Sequence, residues 1–526
     1  MSDHLLHTND SNQSKIGHCW NKTNIQETPI QNFYANQSIF ITGGTGFLGK
    51  VLIEKLLRSC PNISKIYVII RSKKNKSATS RLDEIFESSL FDRVRKETPN
   101  FRDKVVPLVQ VNDLYEESLG LTKDDIDLVI NKVSIIFHLA ATVRFNEKIE
   151  IATKINVYGT CAILNLAKRM PNLKSFIYVS TITANYFTAV THVEECFYKY
   201  PIDSKEFITL MRASSENTID EKILRAAAQW PNTYTFTKAI TEVVIRDSSG
   251  SLPVGIFRPS IVMSTAREPL VGWIDNYYGP TALTVSFSTG IIRFIRGDPD
   301  CLGNFMPADI TINALIAAAW DVFNQPQKRG DKMLIYNSVS TNNAPLFMGN
   351  YVNYHRLIVQ KYPMKHCYWM PTITVVKNKI IYKMCIWFGH LLPAIFIEIY
   401  QKCIGARQRI WKLYEMFHKY QNAVNYFKLH SWTHSEDNIQ AMWRSMNKND
   451  QFLFDFNMKG FDWQKYLEDH FKGVRLYLLK DDLSTLEESR IKWKRLYWIH
   501  QVTKIVFIFI VFMLVWKLFS EIFSKS

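Results

Sequence analysis

Between about residue 36 and residue 340 the chain alternates two hydrophobic patterns. The first is a set of short runs that are apolar almost throughout: "SIFITG", "KIYVIIR", "KVVPLVQ", "VSIIFHLAA", "SFIYVST" and "PVGIFRPSIV". Such uninterrupted runs are those of parallel strands covered on both faces. The second, in stretches such as "FLGKVLIEKLLRS" and "VYGTCAILNLAKRM", repeats apolar residues every three or four positions, as an amphipathic helix does. Strand and helix in alternation predict a doubly wound parallel α/β sheet. Beyond about residue 350 the strand runs stop and aromatic residues become dense. Helical patterns such as "RQRIWKLYEMFHKYQNAVNYF" take over, predicting a separate helical module. The chain therefore divides into a polar tail (1–36), an α/β domain with insertions (37–350), a helical domain (351–495), and a basic flank with an apolar tail (496–526).

Composition narrows the partners. Hydrophobic residues make up 47% and charged residues 21%, which gives ample core and argues against global disorder. A net charge of +16 favours polyanions: phosphorylated cofactors, anionic lipid or nucleic acid. No RNA-binding signature or Cys/His finger spacing is present, so nucleic acid is set aside. The eight cysteines include no Cys-x-x-Cys pair, and the first thirty residues lack the apolar core of a signal peptide. Together these predict a reducing, cytosol-facing location, cysteines that act as small core hydrophobes, and no metal site.

Candidate chemistry begins at "SIFITGGTGFLGKVLIEKLL", residues 38–57. Gly43, Gly46 and Gly49 fall between the first predicted strand and the first helix, where a backbone without Cβ can approach a pyrophosphate at a helix N-terminus. This is the Rossmann-type dinucleotide arrangement, and Thr45 and Phe47 of the same turn are assigned to the cofactor with it. The second strand ends at Arg71, followed by Lys73 and Lys74, where an NAD-selecting carboxylate would otherwise stand. Basic residues there favour a ribose 2′-phosphate, hence NADPH.

A hydride acceptor needs a proton donor. In "PNTYTFTK", Tyr234 and Lys238 lie four apart and share a helix face. A nearby ammonium would lower the phenol's pKa and tune it for work on a carbonyl. In "FIYVSTITAN", Ser180 and Thr181 offer two hydroxyls at a strand's C-terminal edge. Thr181 is favoured as the one that holds the carbonyl; Ser180 is the second candidate, or a hydroxyl that satisfies backbone groups.

These residues resemble the extended short-chain dehydrogenase/reductases and, within them, the fatty acyl-CoA reductase (male-sterility-like) family. The resemblance runs from about residue 36 to 495, through "ITGGTGFLGKVLIEKLL", "FHLAATVRFNE", "NVYGT", "VSTITAN", "PNTYTFTKAITE", "FRPSIV" and "EPLVGWIDNYYGP". It extends to "FDFNMKGFDWQKYLEDHFKGVRLYLLKDD", similar to a module that generic extended reductases lack. It implies NADPH-dependent reduction of a long-chain acyl-CoA to the alcohol in two hydride transfers, with CoA released and no cysteine nucleophile. It also implies roles for Asp113 near the adenine, although Asn112 stands where the family commonly has Gly. Ala140 would lie beside the nicotinamide half, and Asn156 would be the fourth member of the reductase tetrad. Asp309 and Asn313 are read as fold-forming. A hydroxysteroid-dehydrogenase-like reductase and a non-catalytic lipid- or CoA-binding protein are the competing readings.

The closing stretch "KIVFIFIVFMLVWKLFSEIFSKS" has 12 uncharged residues, Ile505–Trp516, about 18 Å of helix. Extended to Phe523 past Lys517 and Glu521, it approaches the roughly 20 residues of a span. With the basic set "RIKWKRLYWIHQVTK" held on the cytosolic side, it predicts a tail anchor. The alternative is a helix packed on the domain. The terminal "SKS" differs from the peroxisomal tripeptide, which favours the endoplasmic reticulum over the peroxisome. The apolar stretch Met384–Ile397 is short and holds Pro393, so it is read as interfacial or substrate-lining.

Overall fold

The computed structural model describes residues 27–71, 76–187, 190–214, 218–405 and 410–523. Its centre is a parallel sheet of β1 (Ser38–Thr42), β2 (Lys65–Arg71), β3 (Val105–Gln110), β4 (Ile135–His138), β5 (Ser175–Val179), β6 (Val254–Pro259) and β7 (Leu334–Ser338). The spatial order is β7-β6-β5-β4-β1-β2-β3, every neighbouring pair parallel. The order reverses between β1 and β4, the switch point at which open α/β sheets bind ligands. Strand β7 extends the sheet beyond the six runs quoted above.

Four helices matter for the site: α1 (Phe47–Ser59), α2 (Gly159–Ala167), α3 (Thr233–Ser249) and α4 (Ala308–Asn324). On one face of the sheet, Leu52, Ile53 and Leu56 of α1 pack with Ile312, Leu315 and Ile316 of α4. On the other, Ile163 and Leu166 of α2 pack with Val129, Val133 and Ile245. Burial on both faces is why β1, β5 and β6 are buried at every position and read as unbroken apolar runs.

One expectation changes. Part of the tail is core: a helix at Pro29–Tyr34, closed by a capping box on Thr28 and Gln31, buries Ile30, Phe33 and Tyr34. The Tyr34 hydroxyl donates to the Ile316 carbonyl at 2.8 Å. The helical C-terminal part is tied to the α/β domain by short pairings. Thr374–Val376 pairs in parallel with Phe294–Arg296, and Thr433–His434 with His192–Val193. Trp463 donates to the Ala344 carbonyl at 2.8 Å. Pairings of two or three residues are too short to leave a period in the sequence.

This part comprises α5 (Lys379–Ile386), a π-helical turn (Trp387–Leu391), α6 (Leu392–Cys403), α7 (Ile410–Leu429), α8 (Trp463–Gly473) and α9 (Leu486–Phe523). Helix α9 has 38 residues, about 57 Å at 1.5 Å per residue. Its best apolar window has mean hydropathy 2.0 and no residue buried against the rest of the chain, which sets aside a helix packed on the domain.

Candidate active site

The glycine turn sits at the C-terminal end of β1, and the three glycines have different tasks. Gly43 has φ +75°, and a Cβ on it would come within 2.8 Å of the Ala140 nitrogen. A Cβ on Gly49 would meet the Gly43 oxygen at 2.3 Å, so helix α1 packs on the turn only with glycine there. Gly46 differs: its Cβ would meet nothing closer than the Gly43 oxygen at 3.1 Å. It is the N-cap of α1, which no side chain caps. A helix N-terminus with no side-chain cap and no Cβ over it fits an approaching pyrophosphate. Phe47 stacks on Trp273 with 5.6 Å between ring centroids and is thereby held at the mouth of the turn.

Arg71 closes β2 with its side chain exposed and contacts Asp113 at 3.3 Å; Asp113 also accepts from the Tyr115 hydroxyl at 2.9 Å. The two residues expected near the adenosine half thus lie together. Lys73 and Lys74 lie outside the described residues.

Behind the turn runs a buried hydrogen-bond chain. The Ala140 amide donates to the Thr42 hydroxyl at 3.2 Å, and Thr42 contacts His138 Nδ1 at 2.6 Å. His138 Nε2 meets the Thr160 hydroxyl at 2.9 Å, and Thr160 donates to the Asn156 carbonyl at 2.7 Å. Since Thr160 and Thr42 each have one proton to give, His138 accepts at Nδ1 and donates from Nε2. Burial holds its pKa down at about 3, so the ring is neutral. The Asn156 side chain accepts from the Thr142 amide at 2.9 Å and donates to Thr237 at 3.0 Å. Asn156 therefore ties the Ala140–Thr142 segment to α3.

Helix α3 begins at an Asn232 N-cap and carries Tyr234, Lys238 and Glu242 one turn apart on one face. Tyr234 faces the Thr181 hydroxyl, which favours its phenolate, but burial dominates and pushes its pKa up to about 12. The phenol is protonated at neutral pH. The expected ammonium effect is not what sets this value, because Lys238 Nζ is directed to the Val179 carbonyl at 2.7 Å and lies over the Tyr178 ring. Burial draws Lys238 down to about 7, opposed by the Glu242 charge.

Thr181 and Ser180 part ways. Thr181 N-caps the short helix Ile182–Asn185 and contacts the Thr183 hydroxyl at 2.9 Å. Ser180 instead donates to Glu242, which is held by the guanidinium of Arg258 at 2.6 Å. Arg258 also donates to the carbonyls of Glu194 and Cys196. Ser180 therefore belongs to a buried ion pair. Asp309 accepts from the amides of Ala266, Arg267 and Glu268, a fold-forming role.

Sequence reasoning missed two features. The Glu242–Arg258 pair had a signal: Glu242 continues the Tyr234/Lys238 spacing. The other is an aromatic wall with no local signal. Phe145 lies 6.0 Å from the Tyr234 ring and 6.1 Å from Phe427 of α7. Phe427 lies 6.2 Å from Tyr186, which stacks on Trp432 at 3.9 Å. The C-terminal helices thus reach the catalytic tyrosine candidate through aromatic rings.

Comparison with known proteins fits this geometry. Residues 41–315 match an NAD-binding family described as "Male sterility protein", and residues 389–481 match a second family of the same description. "Fatty acyl-CoA reductase wat" of Drosophila melanogaster is 35% identical over 487 residues, 91% of this chain and 92% of its own. "Fatty acyl-CoA reductase 1" of Mus musculus is 34% identical over 463 residues, 88% of each chain. Among solved structures, the terminal R domain of the myxalamid PKS-NRPS pathway aligns with TM-score 0.58 at 18% identity, covering 85% of this chain and 92% of its own. The reductase (R) domain of a nonribosomal peptide synthetase from Mycobacterium tuberculosis gives 0.56 at 17% identity, with 87% and 97% covered. At such identities these two share the fold.

Proposed function

The chain belongs to the male sterility family of fatty acyl-CoA reductases, and from that premise we propose that it reduces a long-chain acyl-CoA to the primary alcohol, with NADPH as reductant and free CoA released. The observation that carries this reading is a protonated Tyr234 facing Thr181, beside the Phe145–Phe427 wall and downstream of the glycine turn. An apolar wall suits an acyl chain, and the hydroxyl pair suits the oxygen of its carbonyl.

The chain's own residues divide the work. Gly43, Thr45, Gly46 and Phe47 hold the pyrophosphate, Gly49 lets α1 pack close beneath it, and Ala140 borders the nicotinamide half. Arg71 takes the 2′-phosphate in exchange for its exposed contact with Asp113, which is the support for NADPH over NADH. Bound there, the dihydronicotinamide supplies one hydride to the thioester carbon and a second to the aldehyde carbon. Thr181 and Tyr234 hydrogen-bond the carbonyl oxygen, where negative charge develops. Collapse of the thioester adduct expels the CoA thiolate and leaves the aldehyde. In the second reduction Tyr234 gives its proton to the alkoxide oxygen. Lys238 positions the cofactor ribose and, as an ammonium, returns the phenolate to the protonated state. Asn156 positions both the Ala140–Thr142 segment and α3. Ser180 acts through Glu242 as a support for the strand end.

Helix α9 anchors the chain in a membrane, the endoplasmic reticulum by preference, with the catalytic domain in the cytosol. Ile380, Met384, Trp387, Phe388 and Ile399 of α5, α6 and the turn between them are exposed apolar residues. They supply a second contact with the bilayer. The test is replacement of Tyr234 by Phe: retained NADPH binding with lost acyl-CoA reduction supports the assignment, and unchanged turnover refutes it.

A further inference from the structure

Helix α7 buries an unusual face. Gln421, Asn425 and Lys428, at helical spacing, are each at least nine-tenths buried, yet they are polar. Lys428 Nζ donates to the Gln421 side-chain oxygen, which leaves the Gln421 amide nitrogen as a buried donor. Among the described residues that nitrogen has no partner, nor has the Asn425 side-chain oxygen. The neighbouring strand adds Arg296, whose buried Nε is also unpartnered among the described residues. The two cations are brought together by backbone. The Asp298 amide donates to the Lys428 carbonyl at 2.8 Å, and a Cβ on Gly297 would lie 3.5 Å from the Lys428 Cβ.

Two neighbouring cations normally share an acid. Here the nearby carboxylate of Asp298 is bonded to Lys377. Neither Arg296 nor Lys428 has a carboxylate partner among the described residues. Burial and the Arg296 charge pull Lys428 down to about 7, a strain that an anion would relieve. The donors left over call for anionic oxygen; the Asn425 oxygen calls for an N–H or O–H. A phosphopantetheine arm carries both, in its phosphate and in its amides and hydroxyl.

The position agrees. Lys428 directly follows Phe427, which reaches Tyr234 through Phe145 at 6.1 and 6.0 Å. From Lys428 the polar face runs back to Gln421, seven residues or about 10 Å of helix. We propose that Arg296, Lys428, Gln421 and Asn425 form the subsite for the phosphopantetheine arm of CoA, with Arg296 and Lys428 on phosphate. This rests on the acyl-CoA reading above.

The test uses the full-length chain in nanodiscs of neutral lipid, with Arg296→Met, Lys428→Met and Lys428→Arg variants. Affinity for free CoA is measured by calorimetry, and reduction of acyl-CoA is compared with reduction of the free fatty aldehyde. The Met variants are expected to weaken CoA binding and raise the acyl-CoA KM by about tenfold or more, as for loss of a charge-assisted contact. Aldehyde reduction stays within about twofold, and Lys428→Arg retains most of the affinity. Equal loss toward aldehyde, or unchanged CoA affinity, would overturn the proposal. A defect seen only when the nanodiscs contain anionic lipid would reassign the subsite to a lipid headgroup. CoA binding that responds to these variants in a chain that reduces no acyl-CoA would uphold the subsite and refute the function.

Discussion

The Phe427 ring lies 6.1 Å from the Phe145 ring, so a residue 189 positions downstream of Lys238 packs on the ring that neighbours Tyr234. On the proposed function, the C-terminal helices are therefore part of the reductase site. Replacing Phe427 by Ala opens the wall on the acyl side. We expect the KM for long-chain acyl-CoA to rise about tenfold while NADPH affinity stays unchanged, in line with the roughly 1–3 kcal/mol of a hydrophobic-pocket contact. Steady-state kinetics across chain lengths checks this; equal loss for short and long chains contradicts it.

The glycines of the turn separate fold from function. Gly46→Ala places a methyl over the pyrophosphate position, 3.1 Å from the Gly43 oxygen, a contact far milder than at Gly49, so the chain folds with a modestly lowered Tm and loses dinucleotide affinity. Gly49→Ala drives the same methyl into the Gly43 oxygen, and folding itself suffers. Thermal denaturation with and without NADPH distinguishes the two. A Gly46→Ala chain that NADPH still stabilises fully would refute the cradle.

Ser180 and Thr181 are adjacent and should answer differently. Thr181→Val removes a hydroxyl from the carbonyl oxygen and lowers kcat by about 10²-fold, the scale of one lost oxyanion donor. Ser180→Ala leaves kcat near wild type but withdraws a donor from the buried Glu242, at a cost to stability of about 1–3 kcal/mol. Denaturant titration beside kinetics on both variants decides. A large kcat loss in Ser180→Ala with unchanged stability would reverse the two roles.

Lys238 sets an alkaline limb. Its folded pKa is near 7 against an ordinary 10.5, so the ammonium that supports Tyr234 is present below about pH 7 and lost above it. The kcat/KM for the dinucleotide therefore falls as pH rises through about 7. Stability moves the other way: between about 7 and 10.5 the unfolded chain binds more protons, so this group makes folding more favourable as pH rises. Lys238→Arg keeps its charge and removes the limb; a limb persisting near pH 7 in that variant assigns it elsewhere.

Much of this site was legible because its parts are local. Gly43, Gly46 and Gly49 stand at a strand–helix junction, and Tyr234 and Lys238 share one helix turn, so spacing alone predicts their juxtaposition. The parallel sheet was legible because double burial leaves unbroken apolar runs. Ser180 was ambiguous because two adjacent hydroxyls at a strand end look alike until Glu242 and Arg258, 62 and 78 residues on, bind one of them. Phe427 was silent for a stronger reason. Its meaning depends on where α7 docks, and the short pairings of Thr374–Val376 and Thr433–His434 that secure that docking carry no period of their own.

The measurement that tests the account most directly is the stoichiometry of turnover by membranes bearing the full-length chain, supplied with a long-chain acyl-CoA and NADPH. Two NADPH oxidised and one CoA thiol released per molecule of alcohol is the predicted result. No cofactor oxidation with any acyl-CoA, while NADPH still binds, would contradict it.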